Sequence, residues 1–467
     1  MRMARSNQVR HVTIFPLFLN IMPQTPRVLV VGAGVGGLTL AQGLVKHGIK
    51  VTVFERDASS SFRAQGYRFR VNPNGSAALK YLLRHDLFTQ FERSAAISRL
   101  GGTRMKYDGT VLSTGEGFGA IAAAMGRRPG PSPPGGQGTG SPAASTGTHD
   151  GVYTVDRTLF RALLLQNLDI RFGKQITKYI LDCPSPGNVT IHFNDGSSET
   201  GDFLVGAEGL RSIIRKQLLP NHLPVDTTGR VIYGKTLITP QLLEQFPKEL
   251  QNWMSMTIDD TGTKSMSLLT EPIRFSDEAR AYSAQVLPQA SKDYIYWASF
   301  RFRPLMTVLT GSAEGFGLLD SDFLHLTPSQ TAAHTLKITE KWAPAIRRLL
   351  ELQSVDEAAP LRICSVKPSI PKWEPSSMIT LLGDAVHVMS PTGGVGANTA
   401  LRDSAALCEA LRRAIVDGEG KVDRKDIEKY EADMRFYAGE AVAMSQQGGA
   451  NMYGQPTFEE CEVVDWL

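Results

Sequence analysis

The stretch VLVVGAGVGGLTLAQGLVKHGIKVTVFE, residues 28–55, decides the fold of this chain. It opens with an uninterrupted apolar run, which is typical of a strand buried on both faces. Gly32, Gly34 and Gly37 follow in the pattern G-x-G-x-x-G, and the apolar residues after them recur at helical spacing. A second apolar strand ends at Glu55. Strand, turn, helix and strand in this order predict a βαβ unit and a parallel sheet.

Each part of this pattern suits a bound dinucleotide. Gly32 allows a tight turn, Gly34 lets the backbone approach a pyrophosphate, and Gly37 lets the helix pack closely on the strand. Free N–H groups at the helix start favour phosphates. Glu55 stands about 20 positions after the first glycine, where an acid can bind a ribose 2′-hydroxyl. A glycine-rich turn without a ligand is the alternative, but the order of the parts favours binding of the ADP half of FAD or NAD.

The composition is that of a globular protein large enough for two or three domains. The chain has 467 residues and a formal net charge of +4, with no basic cluster interleaved with aromatics, so no nucleic-acid partner is predicted. The cysteines are scattered and form no C-x-x-C pair, which favours buried thiols in a reducing compartment over a disulfide framework or a zinc site. We therefore predict a cytoplasmic protein without a metal site. The cysteines are Cys183, Cys364, Cys408 and Cys461.

Residues 1–26 and 126–149 differ in composition from the rest of the chain. In the first segment, arginines precede an apolar run that resembles a weak targeting peptide, but the run is too short to span a bilayer and we favour a disordered leader. The second is rich in Pro, Gly, Ser and Thr, so we predict a mobile low-complexity insertion, either a lid or a dispensable loop. No other stretch is long and apolar enough to cross a membrane, so no integral membrane segment is predicted.

Short segments between residues 221 and 362 alternate between apolar and polar residues, which predicts an antiparallel sheet with one face toward a core or a ligand. The segments are RVIYGKTLI (230–238), KSMSLLT (264–270), YSAQVL (282–287) and YIYWASFRF (294–302). Turn signals predict one hairpin over residues 102–112 and another in which strands 189–193 and 202–205 flank an Asn-Asp-Gly turn. Helical spacing predicts helices over residues 76–83, 157–168 and 334–352, the last interrupted at Pro344.

Residues 378–402, MITLLGDAVHVMSPTGGVGANTALR, form a second ligand-binding pattern. A buried strand ends at Gly383 and Asp384, and a glycine-rich loop leads from Pro391 into a helix that begins near Ala397 and extends to about residue 416. An acid at a strand end can bind sugar hydroxyls, and a helix start favours an anion. We therefore predict that this region also contacts the ligand.

Three motifs in order resemble those of the FAD-dependent aromatic-ring hydroxylases, the single-component (group A) flavoprotein monooxygenases. The first is G-x-G-x-x-G with Glu55, and the second is GAEGLRSIIR, residues 206–215. The third joins the strand-end G-D to P-x-x-G-x-G-x-N, which ends at Asn398. The family's second motif normally carries aspartate where this chain has Glu208, which places nicotinamide binding in doubt.

The resemblance implies an α/β fold, with a Rossmann-like FAD-binding domain of the GR2 type, an inserted antiparallel β-sheet substrate domain and C-terminal helices. Three segments of the chain would form the FAD-binding domain, two segments would form the substrate domain, and one segment would form a C-terminal tail. The FAD-binding segments are 27–95, 150–220 and 363–450, the last with the C-terminal helices; the substrate segments are 96–125 and 221–362; the tail is 451–467.

The resemblance also implies which residues contact FAD. The first glycine loop and Glu55 would hold the ADP half, Arg157 would contact the cofactor, Asp384 would bind the ribityl chain, and the second glycine loop would lie beside the flavin ring. The residues assigned to the cofactor are Gly32, Gly34, Gly36, Gly37, Glu55, Arg56, Gly66, Arg157, Asp384, Gly394, Gly396, Ala397 and Asn398.

The activity that the resemblance implies is insertion of one oxygen atom into a small aromatic or polycyclic organic substrate, with NADPH or NADH and O2 as co-substrates. Secondary metabolism is one setting for such a reaction. Hydroxylation, epoxidation and Baeyer–Villiger oxidation stay open, as do the nicotinamide and the oligomeric state. The cofactor performs the difficult chemistry, so no catalytic residue is assigned. A non-catalytic or impaired flavin-binding protein is the alternative.

Other polar and aromatic residues have two interpretations each. A lone histidine such as His387 is more often packed or hydrogen-bonded than catalytic. Tyr233, in the predicted sheet, could orient a phenol, although one aromatic on an alternating strand is more often part of a core. Arg68 and Arg70 share one strand face and could either hold an acidic substrate or lie on an exposed face.

Overall fold

The computed structural model describes residues 26–59, 68–97, 99, 101–116, 151–182, 187–261, 266–287, 292–302, 314–316 and 318–465. The predicted insertion, Gly66, Cys183 and all of the predicted leader except residue 26 lie outside these ranges.

The described residues form strands and helices in alternation, as an α/β fold requires. The strands are β1 Arg27–Val31, β2 Lys50–Phe54, β3 Arg68–Val71, β4 Gly101–Lys106, β5 Val111–Glu116, β6 Tyr153–Asp156, β7 Ile170–Arg171, β8 Ile176–Leu181, β9 Val189–Phe193, β10 Ser198–Gly201, β11 Phe203–Gly206, β12 Val225–Leu237, β13 Ser255–Asp259, β14 Met266–Ile273, β15 Tyr294–Phe302, β16 Glu314–Gly315, β17 Leu318–Leu319, β18 Ala359–Ser365, β19 Ile379–Leu381 and β20 Glu462–Val463. The α-helices are α1 Val35–Lys46, α2 Pro73–Leu82, α3 His85–Ser94, α4 Arg157–Leu164, α5 Ile213–Leu218, α6 Pro240–Gln245, α7 Asp277–Val286, α8 Asp320–Phe323, α9 Pro328–Ile338, α10 Pro344–Glu351, α11 Asp384–His387, α12 Gly396–Arg412 and α13 Arg424–Tyr453.

Five strands form a parallel sheet in the order β19-β11-β1-β2-β7. The side chains of its central strands are mostly apolar and buried, because other elements pack on the sheet. Helix α1 contacts β1 and β2, and a three-stranded sheet in the order β10-β9-β8 also packs on them, with the Phe193 ring 5.1 Å from that of Phe54. Since all five strands run the same way, their carboxyl ends meet at one edge, which is where open α/β sheets bind their ligands. The first glycine-rich loop and Glu55 follow strands of this sheet directly, Gly383 and Asp384 follow β19, and the second glycine-rich loop comes after α11.

The helices that follow the two glycine loops, α1 and α12, pack against each other. The Ser404 hydroxyl of α12 donates to the Gly36 carbonyl of α1 at 2.9 Å, and Thr39 donates to the Ser404 hydroxyl at 3.2 Å. A Cβ on Gly36 would lie 2.6 Å from the Leu382 Cδ1 atom and 3.5 Å from the Ala400 Cβ of α12, so a glycine suits this close approach. The start of α1 is therefore held against the first turns of α12.

A second sheet has eight strands, seven of them in the order β18-β12-β15-β14-β13-β4-β5, with β20 paired to β12. The pairs are antiparallel except for β13 with β4. One face of this sheet packs through Ile232 and Trp297 against the helices that precede β18. The opposite face carries Val231 and Phe300, with Tyr233 partly buried among them. A two-stranded ribbon, β3 with β6, connects the two sheets.

One predicted strand is wrong: the segment 282–287 belongs to helix α7. The Ser276 side chain caps this helix by accepting a hydrogen bond from the Ala279 N–H at 3.1 Å. Its partner is helix α3, whose Arg93 lies over the Tyr282 ring at 5.2 Å and pairs with Glu278. A capped turn and tertiary contacts therefore outweigh the alternating pattern.

Several predicted boundaries also need correction. The hairpin at residues 194–196 pairs β9 with β10, and the segment that begins at 203 is a strand of the parallel sheet. Helix α2 begins at Pro73 with Asn72 as its cap, so residues 72–75 form its start and not a separate turn. Helix α4 ends at Leu164 and not at 168, because Gln42 donates to the Leu164 carbonyl at 2.8 Å. The hairpin over 102–112 and the interruption at Pro344 are confirmed.

The segment after α13 packs on the second sheet. Phe458 is fully buried, and β20 pairs with the first residues of β12. The cysteines at 364, 408 and 461 are buried and free, and burial raises the pKa of the Cys408 thiol to about 12. Among the described residues, no helix combines the length and apolarity needed to cross a bilayer, and no group of three or more His, Cys, Asp or Glu side chains could hold a metal ion.

Glu431 of α13 is a fully buried acid that makes the stability of the fold depend on pH. One of its oxygens accepts a hydrogen bond from Thr380 at 2.8 Å, and burial raises its pKa from 4.5 to about 7. Between these two values the unfolded chain has lost this proton while the folded chain keeps it. The free energy of unfolding therefore falls as pH rises from about 4.5 to 7, by on the order of 2–3 kcal/mol.

We predict that Glu431→Gln removes most of this pH dependence and makes the protein more stable at pH 8, because the amide carries no charge to bury. Urea unfolding of both proteins at pH 5 and pH 8 measures the effect. Glu440→Gln, an exposed acid on the same helix, is the matched control and should follow the unsubstituted protein. Equal pH dependence in the protein with and without Glu431→Gln would contradict the prediction.

Candidate functional site

The first glycine loop joins β1 to α1, and its glycines serve different purposes. A Cβ on Gly32 would lie 2.2 Å from the Ala207 carbonyl oxygen, and the φ of Gly32 is +112°, which favours glycine. A Cβ on Gly37 would lie 2.1 Å from the Gly32 carbonyl oxygen. A Cβ on Gly34 would meet nothing within 4 Å, so this glycine faces open space. Gly32 and Gly37 therefore permit the packing, and Gly34 leaves room for a ligand.

Glu55 lies against this loop at the end of β2. Its carboxylate accepts hydrogen bonds from the Ala33 N–H at 2.8 Å and from the Asp57 N–H at 2.9 Å. Because each carboxylate oxygen can accept more than one hydrogen bond, Glu55 retains capacity for a ribose hydroxyl. Arg161 of α4 donates to the Ala33 carbonyl at 3.2 Å and holds the loop from the other side. The sequence interpretation missed Arg161, although a charged residue within the apolar stripe of a helix is a signal of a buried role.

The second glycine region lies between β19 and α12. Gly383 and Gly394 have φ values of +64° and +62°, and a Cβ on Gly394 would meet nothing within 4 Å. Asp384 follows Gly383 directly and is exposed. Helix α12 begins at Gly396, and no side chain caps its first N–H groups. The open space leaves room for a ring, the acid can bind sugar hydroxyls, and the free N–H groups favour negative charge. Together they suit a ligand in which a sugar chain is joined to an electron-rich ring.

The structure brings these two regions to one edge, and the residues fit FAD. Helices α1 and α12 both lack a side-chain cap, so the N–H groups at both starts are available. An acid belongs to each region: Glu55 contacts the first loop, and Asp384 follows Gly383, whose amide is bound to Asp403 of α12. A dinucleotide with a central pyrophosphate and, at one end, a ring that carries negative charge when reduced matches this arrangement. By contrast, a groove of about 510 Å³ beside Arg27 and Lys50 lies at the amino ends of β1 and β2, away from these loops.

Other predicted cofactor residues have different surroundings. The Asn398 side chain is buried and bound to the protein: its oxygen accepts from the Asn72 N–H and its nitrogen donates to the Arg70 carbonyl, both at 2.9 Å. It ties the start of α12 to the β3–α2 turn, which leaves only its backbone for a ligand. Arg157 is the first residue of α4 and is partly buried, while Arg56 is exposed beyond Glu55.

Comparisons with known proteins match both regions of this site. A family model described as an FAD binding domain matches residues 375–445, and one described as an NAD(P)-binding Rossmann-like domain matches residues 30–98. The dual O-methyltransferase/FAD-dependent monooxygenase elcB of Phaeosphaeria nodorum is 40% identical over 94% of this chain and 47% of its own length. CTB3 of Cercospora beticola, described in the same words, is 36% identical over 93% of this chain and 47% of its own length. The chain thus spans about half the length of these relatives.

A solved structure from Photorhabdus luminescens, described as that of an FAD-containing monooxygenase, superposes with a TM-score of 0.68 at 26% identity and covers 91% of this chain and 98% of its own. The chain belongs to the FAD-dependent monooxygenases of the aromatic-ring hydroxylase type. The two family models match the segments that contain the two glycine regions beside the parallel sheet.

Glu208, the departure in the second family motif, folds back on its own turn. Its carboxylate accepts from the Ser212 hydroxyl at 2.5 Å and from the Ile214 N–H at 3.1 Å, which caps the start of α5. Burial raises the pKa of this carboxyl. The longer side chain is therefore accommodated within the motif, whose Ala207 carbonyl contacts Gly32.

His387 is packed and hydrogen-bonded, in agreement with the favoured interpretation. Its Nε2 atom lies 2.6 Å from the Asp403 carboxylate, and both side chains are fully buried. Burial alone would lower the pKa of His387, but contact with Asp403 raises it above the ordinary value. The sequence interpretation missed Asp403, which is signalled only as an acid on the inward face of the helix that follows the glycine loop.

Arg68 and Arg70 fit neither of the two predicted roles. Both guanidinium groups pair with Glu271 of the eight-stranded sheet, and the Arg70 nitrogen lies 2.7 Å from its carboxylate. Only 7% of the Glu271 side chain is exposed. The two arginines therefore join the ribbon to the inserted domain and do not form an exposed face.

A second buried contact joins the same ribbon to the sheet. Asp156, which caps α4 and lies opposite Arg68 in the ribbon, accepts from the Tyr294 hydroxyl at 2.8 Å and from Lys235 at 3.1 Å. The sheet face beside these contacts is aromatic, with Tyr233 and Phe300 on it. Through Asn398 the ribbon also touches the start of α12, so the aromatic face and the FAD-binding edge are held by one element.

Proposed function

We propose that this chain is an FAD-dependent monooxygenase that uses NADPH or NADH and O2 to insert one oxygen atom into a small aromatic or polycyclic substrate. The observation that carries the proposal is that helices α1 and α12, neither of which has a side-chain cap, pack on each other near their starts, with open space at Gly34 and Gly394. When bound, FAD would supply the redox chemistry, taking hydride from the nicotinamide and activating O2.

In this proposal the residues of the chain bind the cofactor and the substrate and orient one relative to the other. Gly34 and the first N–H groups of α1 receive the phosphates, Glu55 the ribose and Asp384 the ribityl hydroxyls. The start of α12 favours negative charge on the reduced ring. The aromatic face with Tyr233 and Phe300 receives the substrate, and the ribbon keeps that face at a fixed place relative to α12.

The names of two relatives support a substrate with an oxygen atom that can be methylated. Because elcB and CTB3 are described as dual O-methyltransferase/FAD-dependent monooxygenases, we propose that this chain acts on a phenol whose hydroxyl groups are also subject to O-methylation. Both orders are compatible with the chemistry: the substrate can already carry an O-methyl group, or the inserted oxygen can receive one.

The test is reduction of the bound flavin followed by turnover. We expect the purified protein to show flavin absorbance, and NADPH or NADH to bleach it in the presence of a suitable phenol. Paired phenols with and without an O-methyl group, screened by NAD(P)H consumption, then identify the substrate class, and labelled O2 traced by mass spectrometry shows insertion of a single oxygen atom. A protein that holds FAD but is bleached by neither nicotinamide with any candidate would instead support flavin binding without catalysis.

A further inference from the structure

One buried carboxylate, that of Asp403 on α12, lies directly beneath the Gly383 turn. It accepts three hydrogen bonds: from the Gly383 N–H at 2.8 Å, from His387 at 2.6 Å and from the Tyr437 hydroxyl at 2.8 Å. Asp403 has no exposed surface. A charge so deep in the protein is costly unless it is fully hydrogen-bonded, and here two donors come from the turn and helix that follow β19 and the third from α13.

The three donors divide between the two oxygens of the carboxylate. The Gly383 N–H and His387 share Oδ2, while Tyr437 binds Oδ1. The Arg402 guanidinium lies 3.8 Å from the centroid of the Tyr437 ring and packs on it. Tyr437 therefore fixes the rotation of the carboxylate, and the carboxylate fixes the Gly383 amide.

The held amide belongs to a backbone position that determines where Asp384 lies. Gly383 has a φ of +64°, and as a glycine it has no side chain of its own to stabilise this turn. Asp384, the next residue, is exposed at the carboxyl end of β19. The contact with Asp403 holds the Gly383 amide on the strand side, while the Gly383 carbonyl accepts from the N–H groups of Val386 and His387.

We propose that Asp403 is a positioning residue for the cofactor: by holding the Gly383 amide it directs Asp384 toward the ribityl hydroxyls of FAD and so sets the affinity for FAD. The inference rests on the proposed binding of FAD at this edge. It assigns to Asp403 no contact with the cofactor, and it makes Tyr437 and His387 the supports of the carboxylate.

The test is FAD affinity of the apoprotein, measured by the change in flavin fluorescence on titration. Asp403→Asn should weaken binding at least tenfold, because the amide group cannot accept all three hydrogen bonds. Tyr437→Phe keeps the carboxylate and should weaken binding by a smaller factor, about two- to fivefold. Glu431→Gln is the matched control: it also changes a buried carboxylate to an amide beside β19, but it does not contact the turn, and its FAD affinity should stay within twofold of the unsubstituted protein.

A double-mutant cycle separates positioning from a general structural role. If Asp403 acts through Asp384, Asp384→Asn and Asp403→Asn together should bind FAD no more weakly than Asp384→Asn alone. Should Asp403→Asn fail to fold, the same cycle with Tyr437→Phe replaces it. Additive losses, or equal losses in Glu431→Gln and Asp403→Asn, would overturn the inference. Failure of the unsubstituted chain to bind FAD would instead contradict the proposed function itself.

Discussion

Replacing Gly34 with alanine is expected to lower FAD affinity at least tenfold, about 1.4 kcal/mol, while the apoprotein unfolds at an unchanged temperature. The new methyl group would meet no protein atom within 4 Å, and the φ of Gly34, −78°, is one that alanine adopts readily. It would, however, project into the space through which the backbone approaches a pyrophosphate. Fluorescence titration with FAD and thermal unfolding of the apoprotein measure the two effects separately.

Gly32→Ala provides the contrasting variant two positions earlier. Its methyl group would lie 2.2 Å from the Ala207 carbonyl oxygen at a φ of +112°, so we expect it to destabilise the apoprotein by roughly 3 kcal/mol or more. If Gly32→Ala lowers the stability of the fold and Gly34→Ala lowers only the affinity for FAD, the two results together locate FAD at the start of α1. A Gly34→Ala protein that binds FAD normally would exclude that location.

Arg230→Met is expected to destabilise the protein by roughly 3–5 kcal/mol, because it removes the fully buried cation that neutralises the carboxylates of Asp226 and Asp320. Arg230 is fully buried; it binds Asp226 through two hydrogen bonds of 2.8 and 2.7 Å and binds Asp320 of α8 through its Nε atom at 2.8 Å. Urea unfolding gives the free energy. The cluster joins β12 of the inserted domain to α8, so its loss should loosen that domain.

Arg362→Met is the matched control, since this arginine lies 3.4 Å from the same Asp320 carboxylate but is partly exposed. We expect it to cost less than half as much, because solvent screens an exposed charge. Adding Asp226→Asn and Asp320→Asn to Arg230→Met should recover part of the stability, since no unpaired charge then remains buried. Equal losses for the two arginine variants would show that burial of Arg230 is not the source of its contribution.

The local patterns of the sequence predicted the parts of the fold whose signals are local. The βαβ unit over residues 28–55 is an example, because its apolar runs, glycines and acid all lie within one short stretch. The segment 282–287 shows where such patterns fail: its alternation suits a strand, but Ser276 caps a helix there and α3 provides the packing surface. A cap and a partner helix are contributed by residues outside the segment, so its pattern alone could not reveal them.

The residues of the candidate site also fall into two groups: those that a local motif predicts and those that only tertiary contacts reveal. Gly34, Glu55 and Asp384 could be found from motifs because their chemistry depends on the strand end or helix start beside them. Asp403 and Arg161 could not, because their roles come from contacts with Gly383 and Ala33 in other elements. Arg68 and Arg70 seemed available to an anion in the sequence, yet Glu271, far along the chain, pairs with both.

The sequence by itself determined that this chain contains two glycine-rich helix starts and two acids at strand ends, because backbone freedom and helix dipoles act over a few residues. Only the tertiary structure showed that the two helices pack on each other near their starts. It also showed that Gly32 permits close packing whereas Gly34 leaves room for a ligand, and which charged side chains form buried ion pairs. Which residues lie close together depends on the order of the parallel strands in the sheet and on which polar groups form hydrogen bonds once water is excluded. Neither can be read from the local spacing of apolar and polar residues in the sequence.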